Sequence, residues 1–94
     1  MRSYEMVVIL EADLEDHKMA AEEIAEVVRG LGAEVEKIDL WGKKRFAYLV
    51  DKKTEGFYVL YTFKLDPQQI REMERLLSLR PQVIRHMVVN LEEN

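Results

Sequence analysis

Phe57-Tyr58-Val59-Leu60-Tyr61-Thr62-Phe63-Lys64-Leu65-Asp66-Pro67-Gln68-Gln69 is the stretch on which the fold turns. Its first nine residues are Val, Tyr and Phe-rich and strongly β-prone. The next four start a helix with three separate signals. Asp66 caps, Pro67 takes the first helical position, and Gln69 is placed to close a capping box. A strand therefore runs directly into a helix. Downstream, Ile70, Met73 and Leu77 form the buried stripe of that helix, Pro81 stops it, and Val83 to Leu91 reads as a final strand.

Upstream, Lys52 to Glu55 is a polar turn closed by Gly56. Val35 to Val50 reads as one long strand with Gly42 in its middle, where a bend or bulge is expected. Before it, Ala20, Ile24, Val27, Val28 and Leu31 recur at helical spacing, and Glu22, Glu23, Glu26 and Arg29 take the other face. Asp13 is the expected N-cap, with Glu15 and Asp16 in the first turn, and Gly32 the left-handed cap at the far end. Tyr4 to Leu10 fits a buried strand.

The order is β-α-β-β-α-β: an α+β, ferredoxin-like sandwich spanning residues 1–94 as a single domain. Two right-handed crossovers of this kind give a four-stranded antiparallel sheet with both helices on one face. The first and third strands become central and the second and fourth become edges. Strand parity then sorts side chains between faces. Tyr4, Met6, Val8 and Leu10, with Val59, Tyr61, Phe63 and Leu65, and with Phe46, Tyr48 and Val50, are assigned to the helix-covered core. Phe63 is expected against Ile24 or Ile70. The opposite face carries Val7, Ile9, Leu60, Met87 and Val89, with Tyr58, Leu49 and Arg45 near them. That much apolar surface reads as a docking surface, unless long side chains such as Arg45, Lys64 and Arg85 cover it.

Bulk properties bound the function. A chain of 94 residues makes one modest core. The absence of cysteine removes disulfides and thiolate metal sites, and fits a reducing cytoplasm. Met1-Arg2-Ser3-Tyr4 lacks a signal-peptide pattern, and Met6 to Leu10 is far short of a membrane span. The net charge is −4, which opposes binding nucleic acid by bulk electrostatics. Residues 1–40 hold 4 Lys/Arg against 11 Asp/Glu, and residues 41–94 hold 10 against 7. The second half is therefore able to present a local cationic surface on an acidic protein.

Catalytic chemistry is not evident. Ser3, Ser78, Thr54 and Thr62 have no motif around them. His17 reads as a surface residue in an acidic helix start. His86 has the parity of the helix side, beside Ile84 and Val88, and reads as a satisfied, partly buried histidine. No metal, cofactor or small-molecule substrate site is expected. Gly30-Leu31-Gly32 falls at a helix end, not at the start a dinucleotide site needs. An RNA-recognition motif shares this strand order, but Glu55-Gly56-Phe57-Tyr58-Val59 has the wrong charge and lacks the second aromatic, so base stacking on the sheet is not expected. Two other classes fit the topology. One is a regulatory or ligand-binding domain dimerising through the open sheet face. The other is a small enzyme of the dimeric α/β-barrel kind, which would need an acid–base pair that is not evident.

Tyr4-Glu5, the block Trp41-Gly42-Lys43-Lys44-Arg45-Phe46-Ala47-Tyr48, Gly56-Phe57-Tyr58, and Val83-Ile84-Arg85-His86-Met87-Val88-Val89 resemble the bacterial small-subunit ribosomal protein six family. The resemblance runs over essentially the whole chain. It implies the same βαββαβ fold, no enzymatic activity, a cytoplasmic place in the small ribosomal subunit, and two partners. These are small-subunit ribosomal protein eighteen and the central domain of the small-subunit ribosomal RNA. The sequence departs from the family in having Leu49 where a proline often follows the Ala-Tyr pair, and in ending at Asn94 without a longer tail. The expected RNA-binding residues are Arg2, Lys43, Lys44, Arg45, Arg80 and Arg85, which would position phosphates rather than read bases. The expected partner-binding residues are Val7, Trp41, Tyr58, Leu60 and Met87. Trp41 is either an anchor for the partner or a locally packed residue.

Overall fold

Alternation of inward and outward side chains builds the first strand, β1 (Arg2–Glu11). Tyr4, Met6, Val8 and Leu10 are buried, while Val7 and Ile9 between them are only half-buried. The computed structural model describes residues 1–50 and 52–92; Asn94, the expected end of the domain, lies outside them. Helix α1 (His17–Gly30) follows, then strands β2 (Glu34–Val50) and β3 (Lys53–Leu65), helix α2 (Ile70–Ser78) and strand β4 (Val83–Asn90). The sheet order is β2-β3-β1-β4, so β1 and β3 are central and both neighbours of each are antiparallel. This is the α+β, ferredoxin-like arrangement.

Local chemistry accounts for most boundaries. The carbonyls at the end of α1 are closed by a two-bond cap: Gly32 N–H donates to Arg29 O at 2.9 Å and Ala33 N–H to Val28 O at 3.4 Å. Gly32 stands at φ +95°, a conformation that costs a residue with a Cβ. At the other end of α1 the cap is Asp16, not Asp13. Its carboxylate accepts from Met19 N–H at 2.9 Å. Asp66 caps as expected, accepting from Gln68 N–H at 3.0 Å, but what it starts is a short 3₁₀ turn, Pro67–Gln69, that leads into α2. Gln69 makes no side-chain cap bond, so the capping box is absent. The polar turn is also tighter than expected. Lys52 takes φ 65°, and Lys53 to Glu55 already belong to β3.

Between sheet and helices lies one apolar core. Met6, Val8, Leu10, Val59, Phe63 and Leu65 from the sheet meet Ile24, Ala25 and Val28 of α1 and Met73 and Leu77 of α2. Phe63 is fully buried in the cluster that contains Ile24, with Ile70 packed at its margin. Its ring stacks on Tyr4 with centroids 5.7 Å apart.

Phe46, Tyr48 and Val50 do not join that core, and Tyr48 is 81% exposed. The reason is in the β2–β3 register. Val35 pairs Phe63 and Ile38 pairs Tyr61, with a shift between Val35 and Lys37. A second shift falls between Leu40, opposite Val59, and Gly42, opposite Tyr58 at φ +99°. Each extra residue reverses which face the next residues occupy. After the second, Lys44 and Phe46 lie on the open face, while Lys43 and Arg45, opposite Phe57 and Glu55, lie on the other.

Candidate macromolecule-binding face

Three cross-strand rows make up the open face of the sheet. The middle row runs Asp39–Leu60–Val7–Met87 from β2 to β4. One neighbour runs Gly42–Tyr58–Ile9–Arg85, and the other Lys37–Thr62–Glu5–Val89. No helix covers these rows. Met87 is 61% exposed and Val89 is exposed too; Val7, Ile9, Tyr58 and Leu60 are half-buried by their neighbours in the sheet. Four of the five expected partner-binding residues, Val7, Leu60, Met87 and Tyr58, are therefore adjacent on one surface.

The fifth, Trp41, stands where β2 bulges beside Gly42. Its indole N–H donates to Asp39 Oδ2 at 3.2 Å. Lys44 Nζ lies 5.2 Å from the Trp41 ring centroid and 5.7 Å from that of Tyr58. Phe46 tilts against Tyr58 with centroids 6.3 Å apart. An exposed cation over two aromatic faces gains about 0.5–1 kcal/mol and holds the cluster in one arrangement. Trp41 thus packs locally and is still exposed at the margin of the apolar rows. Phe46 belongs to this face although parity counted along an unbroken strand hides it. Gly56 explains how Phe46 reaches that position: a Cβ there would meet the Ile9 side chain and lie 2.9 Å from Phe46 Cζ.

The expected RNA-binding residues divide by place. Lys43, Lys44 and Arg45 sit on β2 opposite Phe57 to Glu55, at the end of the sheet where β1 finishes. Arg85 pairs across from Ile9 near that same end, and Arg80 sits just before it, its carbonyl accepting from Val83 N–H. Arg2 lies at the other end of β1, opposite Leu65, nine strand residues away and so roughly 30 Å distant at about 3.3 Å per residue. The structure brings five of the six toward one end, and Arg2 is not among them. Within the β2 trio only Lys44 faces the open side; Arg45, expected near that face, has the opposite parity. Among the described residues none of the six has a carboxylate within ion-pair distance, whereas Arg29, Lys37, Lys53, Lys64 and Arg75 do.

The histidines hold structure together. His86 faces the helix layer, its Nε2 3.6 Å from Glu74 Oε2 of α2. His17 is not the surface residue expected. It is half-buried, stacked flat on Phe57 at 4.0 Å between centroids, with Nε2 3.0 Å from Glu11 O. Glu22 and Glu26 are surface charge shared by Arg29, whose guanidinium they hold above its ordinary pKa through hydrogen bonds. The Arg75 guanidinium hydrogen-bonds Glu72 in the same way and holds its carboxyl below the usual carboxylate range. Among the described residues no group of three or more His, Asp or Glu is arranged to hold a metal, and no helix is long and apolar enough to cross a membrane.

Comparison with known proteins gives a consistent result. The model of the family described as ribosomal protein S6 matches residues 3–90. The small ribosomal subunit protein bS6 of Desulforamulus reducens is 41% identical over 91 residues, 95% of this chain and 96% of that protein. The protein of the same name from Moorella thermoacetica is 42% identical over 95 residues, 99% of this chain and 97% of its own. Among solved structures, the crystal structure of 30S ribosomal protein S6 from Thermotoga maritima is similar with a TM-score of 0.87 at 25% identity, covering 95% of this chain and 86% of that one.

Proposed function

The chain belongs to the ribosomal protein S6 family, and from that premise we propose that it binds central-domain ribosomal RNA of the small subunit jointly with small-subunit ribosomal protein eighteen. The family is one of structural ribosomal proteins, not enzymes. This protein's place is accordingly in the small ribosomal subunit of the cytoplasm.

The observation that carries the joint mode of binding is the open sheet face. Three of the four positions in its middle row, Leu60, Val7 and Met87, are apolar, and Lys43, Lys44, Arg45, Arg80 and Arg85, none with a carboxylate at ion-pair distance among the described residues, gather at the end of the sheet where β1 finishes. A net charge of −4 opposes a polyanion, so the few local cations hold RNA weakly on their own. A basic protein on the apolar rows adds phosphate contacts and fixes the orientation of Lys43, Lys44, Arg45, Arg80 and Arg85. Arg2, at the far end of the sheet, would meet a different segment of the RNA.

The test is RNA affinity across a salt series, with and without the partner protein. Tight binding is expected only for the pair. Each phosphate contact releases roughly one counterion, so replacing Lys44 and Arg45 by alanine should flatten the slope of log affinity against log salt by about two. Contact between the two proteins should stay nearly intact. Tight RNA binding by this protein alone, or an unchanged slope, contradicts the mechanism.

A further inference from the structure

On the helix side of the molecule, away from the open sheet face, the β1–α1 loop, the first half of α1 and the loop entering β4 enclose a groove of about 640 Å³. Leu14, Met19 and Pro81 give it apolar walls, and Met19 leaves 60% of its surface in water. Asp13, Glu15 and Glu23 stand along it, and among the described residues no lysine, arginine or histidine lines it. Among the described residues none of these three carboxylates has a cation within ion-pair distance. Further along α1 the pattern differs, because Arg29 binds both Glu22 and Glu26. The groove thus joins exposed apolar surface to uncompensated negative charge. An apolar floor under a single-signed rim selects a ligand that is cationic and carries apolar side chains. The same sign excludes RNA.

We propose that this groove docks an extended cationic peptide segment of another protein, with an aliphatic side chain against Met19 and Leu14 and flanking arginines or lysines at Asp13, Glu15 and Glu23. The site is independent of the RNA-binding reading, since its lining includes none of Lys43, Lys44, Arg45, Arg80 or Arg85. Two further groove carboxylates are already engaged and serve the fold: Asp16 caps α1, and Glu11 pairs with Lys53 at 3.3 Å.

The experiment is a titration of the full chain, followed by backbone amide NMR, with a synthetic pentapeptide of alternating arginine and leucine. Pentalysine and an alternating glutamate–leucine peptide are the comparators. Shifts should centre on Leu14, Met19, Ala20 and Gln82. Affinity should fall about fivefold or more between low and physiological salt as surface charges are screened. The double variant Glu15→Gln/Glu23→Gln should weaken binding severalfold, and Met19→Ser should weaken the arginine–leucine peptide but not pentalysine. All three positions are exposed and outside the core, and an unchanged thermal midpoint confirms folding. Equal binding of pentalysine, shifts on the open sheet face, or an unaffected double variant overturns the proposal. So does the appearance of the same shifts with an RNA oligomer, or on raising the protein concentration without peptide.

Discussion

The phenol of Tyr61, at the centre of β3, donates a 2.7 Å hydrogen bond to the carbonyl oxygen of Ala21 in α1. It is a buried polar tie between the sheet and the helix layer inside an otherwise apolar core. Burial first, and the charge of Glu22 second, push the Tyr61 phenol far above its ordinary pKa.

Tyr61→Phe tests that tie. Loss of one buried hydrogen bond is expected to cost about 0.5–1.5 kcal/mol at neutral pH. The pH dependence has a definite sign. With the folded pKa raised, the native state keeps a proton that the unfolded state gives up above about pH 10. Stability contributed by Tyr61 is therefore complete below that pH and declines as pH rises further. Urea unfolding between neutral and alkaline pH should show parent and variant converging at the alkaline end, and a constant difference refutes the assignment.

Phe63→Ala removes a fully buried ring stacked on Tyr4 in the core cluster shared with Ile24. A loss of about 3–5 kcal/mol is expected from the transfer and cavity terms together. Chemical denaturation measures it, and a loss below about 1 kcal/mol is incompatible with the packing described.

The helix start separates two neighbouring carboxylates. Asp16→Ala should destabilise by about 1 kcal/mol, since it removes the bond to Met19 N–H. Asp13→Ala, at an exposed loop position, should stay within about 0.5 kcal/mol of the parent. Equal effects in thermal unfolding would place the cap elsewhere.

Gly56→Ala inserts a methyl between Ile9 and Phe46. The backbone conformation is ordinary there, so the cost is steric, about 1–3 kcal/mol for overpacking. Tyr58 and Phe46 resonances should move with it, and a neutral substitution would mean that the two side chains yield freely.

Leu60→Glu places a charge in the middle row of the open face, opposite Val7 and Asp39. Affinity for the partner protein should fall by a larger factor than folding stability changes. Unaltered affinity with an intact fold removes the open face from the binding mechanism.

Element order, the two central strands and most of the core were legible because each rests on a local signal. Even-numbered apolar residues of β1, the Asp66-Pro67 pair and Gly32 are read within a few residues of themselves. What escaped depends on contacts far along the chain. Asp13 and Asp16 both suit a cap. The choice between them accompanies the stacking of His17 on Phe57, forty residues away in sequence. On the candidate face, Val7, Leu60, Met87 and Tyr58 follow from simple parity and adjoin as expected. Phe46 and the alternation of Lys43, Lys44 and Arg45 between faces depend on two extra residues in β2. Gly42 signals one of them, and no residue type near Glu36 signals the other.

Those two extra residues make β2 respond unevenly to a change in chain length. Glu36 and Trp41 stand between paired neighbours without a cross-strand partner of their own. Deleting either one removes a bulge and leaves Lys44 and Phe46 on the open side and Lys43 and Arg45 on the other. Deleting a paired residue such as Lys43 instead slips everything that follows by one position, so that Arg45 comes to the open side while Lys44 and Phe46 turn toward the helices. The face this protein offers to its surroundings is thus encoded in the spacing of β2 as much as in its composition, and a single-residue gap is silent at two positions and inverts the surface at their neighbours.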